Sequence, residues 1–461
     1  MPATPQSVPP PRPCPDPPAR SASSARSRAR WALAAVATGA FCVQLDAFAL
    51  NPALPVIRTD LDGSRTALPW AVGGYLLTAG SLMPVAGRLA DLWGRRRTLA
   101  LGLALFAAAA ALCALAPSLP LLVAARLLQG AGGALIMPAG LALLTNACPP
   151  GRVQRAIGQA LGLAGLATVC GPFVGGALAR FVSWRAVFWL TVPLAVAAAA
   201  CALRTAESHA PDAGRHPFDL TGAVAATGAL ACLARWLEHP ADWGWAAAAP
   251  ALGALFLRAE RRSPDPLVDL ALFRNRPYVA LTVAGAVANS ATVALLYVVP
   301  LLLQQGRGWS ALDAGVAFLA PAAALAAGGP LAGRVRPERA VPVMAVCLSA
   351  AGAALWAVGP RTDVPALVAA STVAAAALGV AGGLALTGTQ AVVRRERAGE
   401  ASGVTKAVMT ATAGVGLALV GAGTGAGSGP RPALAPPAAA CLVAAVAIAL
   451  VRVLRRKGRR R

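Results

Sequence analysis

The feature that most constrains this chain is the recurrence of apolar runs about 20 residues long. Residues 98–117 and 364–390 carry no Asp, Glu, Lys or Arg, and similar stretches follow one another from Trp31 almost to the C-terminus. A helix needs roughly 20 such residues to cross a bilayer, whereas the strands of an outer-membrane barrel alternate with period two. At about 30–35 residues per span and loop, the 461 residues accommodate roughly 13 or 14 spans. Charged residues make up 13% of the chain, about half of what a soluble domain carries. A soluble globular enzyme and a disordered chain are excluded. The expected fold is an all-α, multi-pass membrane protein.

The spans read from the sequence are 31–54, 68–88, 98–117, 120–146, 156–181, 185–203, 218–237, 243–257, 277–303, 311–333, 340–358, 364–390, 400–424 and 435–453. The eighth is short and interrupted by Pro250, so twelve is the alternative to fourteen. The longest polar connections, 204–217 and 258–276, bracket spans seven and eight. The expected organisation is therefore a disordered tail (1–30), a six-helix bundle (31–203), linkers with two inserted helices (204–276), a second six-helix bundle (277–454) and a basic tail (455–461). A weak repeat agrees with two related bundles: Pro84-Val85-Ala86-Gly87-Arg88-Leu89 returns as Pro330-Leu331-Ala332-Gly333-Arg334-Val335, each time closing a bundle's second span. Transporters built from parallel repeats hold substrate near the midplane between halves.

A net charge of +23 would suggest nucleic acid in a soluble protein. Here the charge is sorted by loop. With the N-terminus placed inside, basic residues favour the cytoplasmic loops by roughly four to one, as the positive-inside rule requires. Both termini are then expected in the cytoplasm, with the final Arg/Lys run against anionic lipid and no nucleic acid bound. The nine cysteines are scattered without a CxxC pair, so neither a disulfide framework nor a metal site is indicated. His209, His216 and His239 lie in the loops around the insert. No GxxxxGK[ST] loop is present, which leaves an ion gradient as the energy source.

Ionisable groups inside spans cost several kcal/mol each and are functional hypotheses by default. Asp46 sits deep in span one, and Arg126 lies in span four, followed by Gln129 and Gly130. Each is either a functional group or one half of a structural ion pair, and Arg126 has the further option of snorkelling. Lys406, near the inner end of span thirteen, is expected to snorkel. Span five carries Gly162, Gly165, Gly171, Gly175 and Gly176 around Pro172. This pattern suits either close packing or a helix that bends and slides where the two bundles meet.

At these residues the chain resembles the major facilitator superfamily, and within it the fourteen-helix drug:proton antiporter branch. Gly87-Arg88-Leu89-Ala90-Asp91-Leu92-Trp93-Gly94-Arg95-Arg96-Arg97 is similar to the family's loop motif between helices two and three, with Leu92 where a basic residue is usual. Leu122, Arg126, Gln129, Gly130, Gly132 and Gly133 resemble the helix-four motif. Gly162, Gly171, Pro172, Gly175 and Gly176 resemble the antiporter motif of helix five. Leu45-Asp46 with Asn51, Ala53, Leu54 and Pro55 resembles the first-helix motif, Phe48 and Pro52 departing from it. Glu260-Arg261-Arg262 through Phe273-Arg274 looks like the junction after the insert. The second half matches by helix count alone: Gly333-Arg334-Val335-Arg336 lacks the motif's Asp.

The resemblance implies a monomeric, proton-coupled exporter of small organic compounds such as drugs or antibiotics, in a bacterial inner membrane, without cofactor or metal. Asp46 and Arg126 would couple protons, and Gly87, Asp91, Gly94, Arg95, Arg96, Gly171, Pro172, Gly175 and Gly176 would serve conformational gating. Gln44, Asn51, Gln129, Asn289, Gln304 and Gln390 are candidates for the substrate cavity, and only Asn51 among the first-helix and second-half positions has a motif behind it. A nutrient symporter and a transport-inactive sensor are the alternatives. The antiporter-type glycine motif argues against the first and the nearly intact loop motif against the second. A membrane-embedded enzyme lacks the Asp-rich metal site or intramembrane His it would need.

Overall fold

The computed structural model describes residues 19–63, 67–149, 152–208, 220–238, 241–262, 270–358, 363–393, 398–423 and 431–458. The three histidines lie outside these. Apolar side chains and a backbone that must satisfy its own hydrogen bonds leave the helix as the form available in lipid, and the described residues form helices throughout. These are α1 (Ala19–Asp60), α2 (Trp70–Trp93), α3 (Arg95–Leu115), α4 (Leu119–Ala147), α5 (Val153–Phe181), α6 (Arg185–Leu203), α7 (Leu220–Glu238), α8 (Trp243–Arg262), α9 (Arg276–Arg307), α10 (Ala311–Ala317), α11 (Leu319–Ala332), α12 (Pro337–Ala357), α13 (Val364–Ala391), α14 (Ala398–Gly423) and α15 (Arg431–Gly458), with a 3-10 turn at Leu270–Arg274.

Several boundaries differ from expectation for local reasons. The helix of the first span begins at Ala19, inside the segment expected to be a disordered tail. The Ala/Ser/Arg run after Pro18 holds no further proline, so the helix of the apolar span can propagate back through it. At the other end, α15 runs through Arg455 and Arg456 to Gly458. Pro250 sits inside a continuous α8. The tenth span is not one helix. It is α10 followed by α11, bent by 42° at Phe318, because Pro321 has no N–H for the Ala317 carbonyl and its ring crowds that position. Among the described residues, nine helices are long and apolar enough to cross a membrane, or ten with this bent pair counted once. A count of fourteen crossing helices is not established. In α7 and α15 the apolar stretches are only Val224–Leu237 and Leu434–Leu450, and α2 and α8 carry charge in their last turns.

The helices pack in two sets. In the first, α1 lies along α4, α5 and α6, while α3 packs on α4 and α6, and α2 on α4. In the second, α9 contacts α13, α14 and α15; α11 and α12 pack on α13, and α12 on α15. The sets meet where α2 touches α14, where α5 touches α10 and α11, and where α1 touches α9. The helices α7 and α8 pair with each other, and α7 lies against both α2 and α14.

The buried side chains distinguish the two ends of this bundle. At the end holding the α2–α3 turn and the starts of α1 and α5, one apolar cluster draws only on the first set, including Val36, Leu103, Phe106, Ile136 and Ala198. A second cluster runs the length of the second set, from Leu281 and Met344 to Leu295 and Leu417, and takes in residues of the first set, such as Leu54, Val72 and Phe188, at the opposite end. The halves share a core at that far end.

Candidate functional site

Asp46 of α1 and Arg126 of α4 are both wholly buried. Arg126 Nη1 donates to Asp46 Oδ2 at 2.5 Å and to Gln129 Oε1 at 2.7 Å, while its Nε donates to the Ala71 carbonyl of α2 at 2.7 Å. Gln129 Nε2 donates to the other carboxylate oxygen of Asp46 at 3.1 Å. The Tyr75 ring faces the guanidinium, with the Arg126 carbon 4.4 Å from its centroid, a cation–π contact that substitutes for water around a desolvated charge. Arg126 does not snorkel; its charge is held inside three helices by one carboxylate. Sequence reasoning missed Tyr75 and Ala71. The backbone carbonyl leaves no trace in a sequence, but Tyr75 is one of only three tyrosines, and a lone tyrosine beside Gly73 and Gly74 is the signal that was available.

The cavity candidates occupy varied places. Gln129 belongs to the buried network. Asn51 is 4% exposed and donates to the Ala47 carbonyl of its own helix at 2.9 Å. Gln44 donates to Thr168 Oγ1 of α5 at 3.2 Å, Asn289 to the Met409 carbonyl of α14 at 2.8 Å, and Gln304 to the Pro52 carbonyl of α1 at 2.8 Å. These amides tie helices together, the last across the two sets. Gln390 is exposed near the end of α13.

The glycines map the junction between the sets. A Cβ on Gly176 would collide with the Ala311 carbonyl of α10, and the carbonyl of Pro172 lies against Gly315. On the other flank Gly414 of α14 lies against Gly73 of α2, 2.8 Å from its carbonyl to the missing Cβ. Eleven residues is close to three turns, so Gly165 shares a face with Gly176, and Gly403 with Gly414. Both Gly165 and Gly403 have nothing within 4 Å. About 16 Å along each helix, contact between backbones has become open space on both flanks. The halves are therefore closed at the far end and apart at the α2–α3 end. Gly175 lies elsewhere: it meets the carbonyl of Ala49 in α1, as Gly171 meets Phe48. Those two glycines bind α5 to α1 within one set, and it is Gly176 that sits where the two sets meet.

The loop motif forms a second polar cluster. Gly94 takes φ 102° between α2 and α3, a conformation that disfavours side chains. Asp91 pairs with Arg95 at 3.2 Å. The Arg95 N–H donates to the Ser208 carbonyl at 3.0 Å, and the Arg96 N–H to Glu207 Oε1 at 2.9 Å. The Glu207 carboxylate also pairs with the Arg96 and Arg97 side chains at 3.4 and 3.7 Å. Glu207, just past α6, thus supplies negative charge at the start of α3, where exposed N–H groups and the helix dipole favour it. Its only sequence signal is that it is the first of the two acids, Glu207 and Asp212, in the linker after span six. Gly87 faces Pro138 of α4 at 3.9 Å.

Residues 36–417 match the family model described as Major Facilitator Superfamily. The Tetracenomycin C resistance and export protein of Streptomyces glaucescens is 36% identical over 68% of this chain and 60% of its own length. The Lincomycin resistance protein of Streptomyces lincolnensis is 34% identical over 64% and 63%, and the Multidrug resistance protein Stp of Mycobacterium tuberculosis 33% over 68% and 60%. The chain thus matches about three-fifths of the length of these relatives. Among solved structures, the human organic anion transporter MFSD10 superposes with a TM-score of 0.59 at 17% identity, covering 94% of this chain and 100% of that one. A POT family transporter superposes with a TM-score of 0.67 at 12% identity, covering 91% and 95%. At such identities the likeness is one of fold.

Proposed function

Because the chain belongs to the Major Facilitator Superfamily, we propose that it is a proton-coupled exporter of small organic compounds, of the kind named in its antibiotic-resistance relatives. In this reading residues 31–203 and 277–454 are the two moving bundles, and 204–276 carry the inserted pair. The end that bears the α2–α3 turn is cytoplasmic, as the basic loops suggest, so the gap faces the cytoplasm. The observation that carries the reading is the buried Asp46–Arg126–Gln129 network, level with the far-end seal, since Arg126 bonds Ala71 and faces Tyr75 on either side of Gly73.

The chemistry follows from the charge balance. With Asp46 ionised, its pairing with Arg126 makes the site neutral and holds α1, α2 and α4 together. When the far side opens, a proton from outside can bind the Asp46 carboxylate. Arg126 then loses its counter-ion, and the bonds through Gln129 and Ala71 must rearrange. Returning to the inward-facing state re-forms the pair and expels the proton to the cytoplasm. Net movement is one proton in for each substrate out, with the proton gradient as the energy source. Asp91, Arg95, Arg96 and Gly94 would hold the inner end of the first bundle as the halves rock, while Gly171, Pro172, Gly175 and Gly176 allow α5 to follow α1 and to close on α10.

The test is transport in everted membrane vesicles with a panel of antibiotics and dyes. Uptake energised by a proton gradient and abolished by a protonophore is expected. Uptake by intact cells in place of everted vesicles would indicate symport, and uptake indifferent to the protonophore would remove the proton from the mechanism.

A further inference from the structure

Lys406 is an intramembrane cation that this mechanism does not use. It lies on α14 in the apolar stretch Ala401–Val420, eight residues, or about 12 Å, from the Gly414 seal. Its position on the helix is bounded on both sides. One flank is Gly403 and Thr410, three residues before and four after. Thr410 lies at the contact of Gly80 in α2, and Gly403 meets open space. The other flank is Met409, whose Cε reaches Gly382 of α13 at 4.0 Å and whose Sδ meets the Cβ position of Gly285 in α9 at 3.2 Å. Lys406 therefore occupies the strip of α14 between its α13 and α2 neighbours, just below the seal, where the halves part.

Its charge is uncompensated. Arg126 is neutralised by Asp46, but Lys406 makes no ion pair or side-chain hydrogen bond among the described residues. Its side chain is partly exposed, on the strip of α14 where the halves part. A fixed, unpaired cation in a region of low dielectric attracts an anion far more strongly than the same charge would in water.

Resting on the export reading, we propose that Lys406 anchors the substrate, and that the compounds carried are organic anions: an apolar body with a carboxylate or an acidic phenol. The apolar body would lie against the small residues of α5, α11 and α14 that face the gap, and the acidic group would pair with Lys406 Nζ. Opening of the far side would expose that pair to water and weaken it, releasing the anion outward.

The experiment uses the full chain in nanodiscs and a matched probe pair, 9-anthracenecarboxylate and its uncharged carboxamide, with binding read by fluorescence. The acid should bind at least tenfold more tightly than the amide. Lys406→Gln should remove that preference while leaving the weaker amide binding, and Lys406→Arg should keep it. Retained thermal stability of both variants shows that they are folded. If the acid gains no advantage over the amide, whether both bind or neither does, the proposal is overturned. It is also overturned if Lys406→Gln keeps the preference, which is what a lysine snorkelling to the membrane surface would give. Export itself is scored separately in vesicles. Proton-driven export of uncharged compounds that is indifferent to Lys406→Gln leaves the exporter standing without the anion. Acid-selective binding with no export of any compound leaves the anion site standing without the exporter.

Discussion

Gly176→Ala isolates the far-end seal from the rest of the fold. The added Cβ would collide with the Ala311 carbonyl and sit 3.0 Å from that carbonyl's carbon and 3.1 Å from Leu312 Cα. All three are backbone atoms, so no side chain can swing aside, and α5 and α10 must separate by about an ångström. Overpacking of this kind costs about 1–3 kcal/mol. The cost falls only on the state in which α5 and α10 touch, so the population should shift toward the outward-open state by about 5–150-fold. Two neighbours serve as controls. Gly165→Ala adds the same methyl on the same face, where nothing lies within 4 Å, and should shift nothing. Gly175→Ala meets Ala49 inside the first set and should lower thermal stability without biasing either state. The assay is labelling by a membrane-impermeant maleimide from the far side of the membrane. The target is a cysteine at Gln304, whose amide bonds Pro52 across the seal, with the native cysteines replaced. Gly176→Ala should accelerate labelling at least fivefold over the parent. Equal rates in the Gly176→Ala and Gly165→Ala proteins would refute the assignment of this contact as the seal.

Asp46→Asn leaves the Arg126 charge buried and unpaired, which costs about 3–5 kcal/mol. A clear drop in melting temperature is expected, partly restored by adding Arg126→Gln, and neither protein should accumulate substrate against its gradient. Tyr75→Leu removes the ring beside Arg126, a contact worth about 2 kcal/mol when desolvated, while Tyr75→Phe keeps it. Thermal unfolding should separate the two variants in that order, and equal melting would deny the ring a role. Glu207→Gln keeps an acceptor for the Arg96 N–H but loses the charge at the start of α3, worth about 0.3–1 kcal/mol. Amide exchange in the first turn of α3 should speed up several-fold or less, with a larger effect for Glu207→Ala.

Hydropathy along the chain is enough to set the class of the fold. Runs of about 20 apolar residues leave only the transmembrane helix, because lipid offers no partner for an unpaired backbone group. It also singled out Asp46 and Arg126, since charge among such residues is costly wherever the chain places it. What it left open depended on contacts distant in the chain. Arg126 had three possible fates, and the choice was made by helices α1 and α2 bringing Asp46, the Ala71 carbonyl and Tyr75 to it. The amides of Gln44, Asn289 and Gln304 look alike in sequence, and only the fold decides which helix each of them bonds.

The glycines of span five show the same division. Their spacing announces a helix that others approach closely, and nothing in that spacing says which helix each one meets. Gly175 and Gly176 are neighbours in the chain, but about 100° of helix rotation separates them. That rotation turns one toward α1 in its own bundle and the other toward α10 in the second. Composition and periodicity are properties of a segment and can be read along it. Which surfaces meet, and at which end of the bundle they part, is decided only when all the helices pack at once.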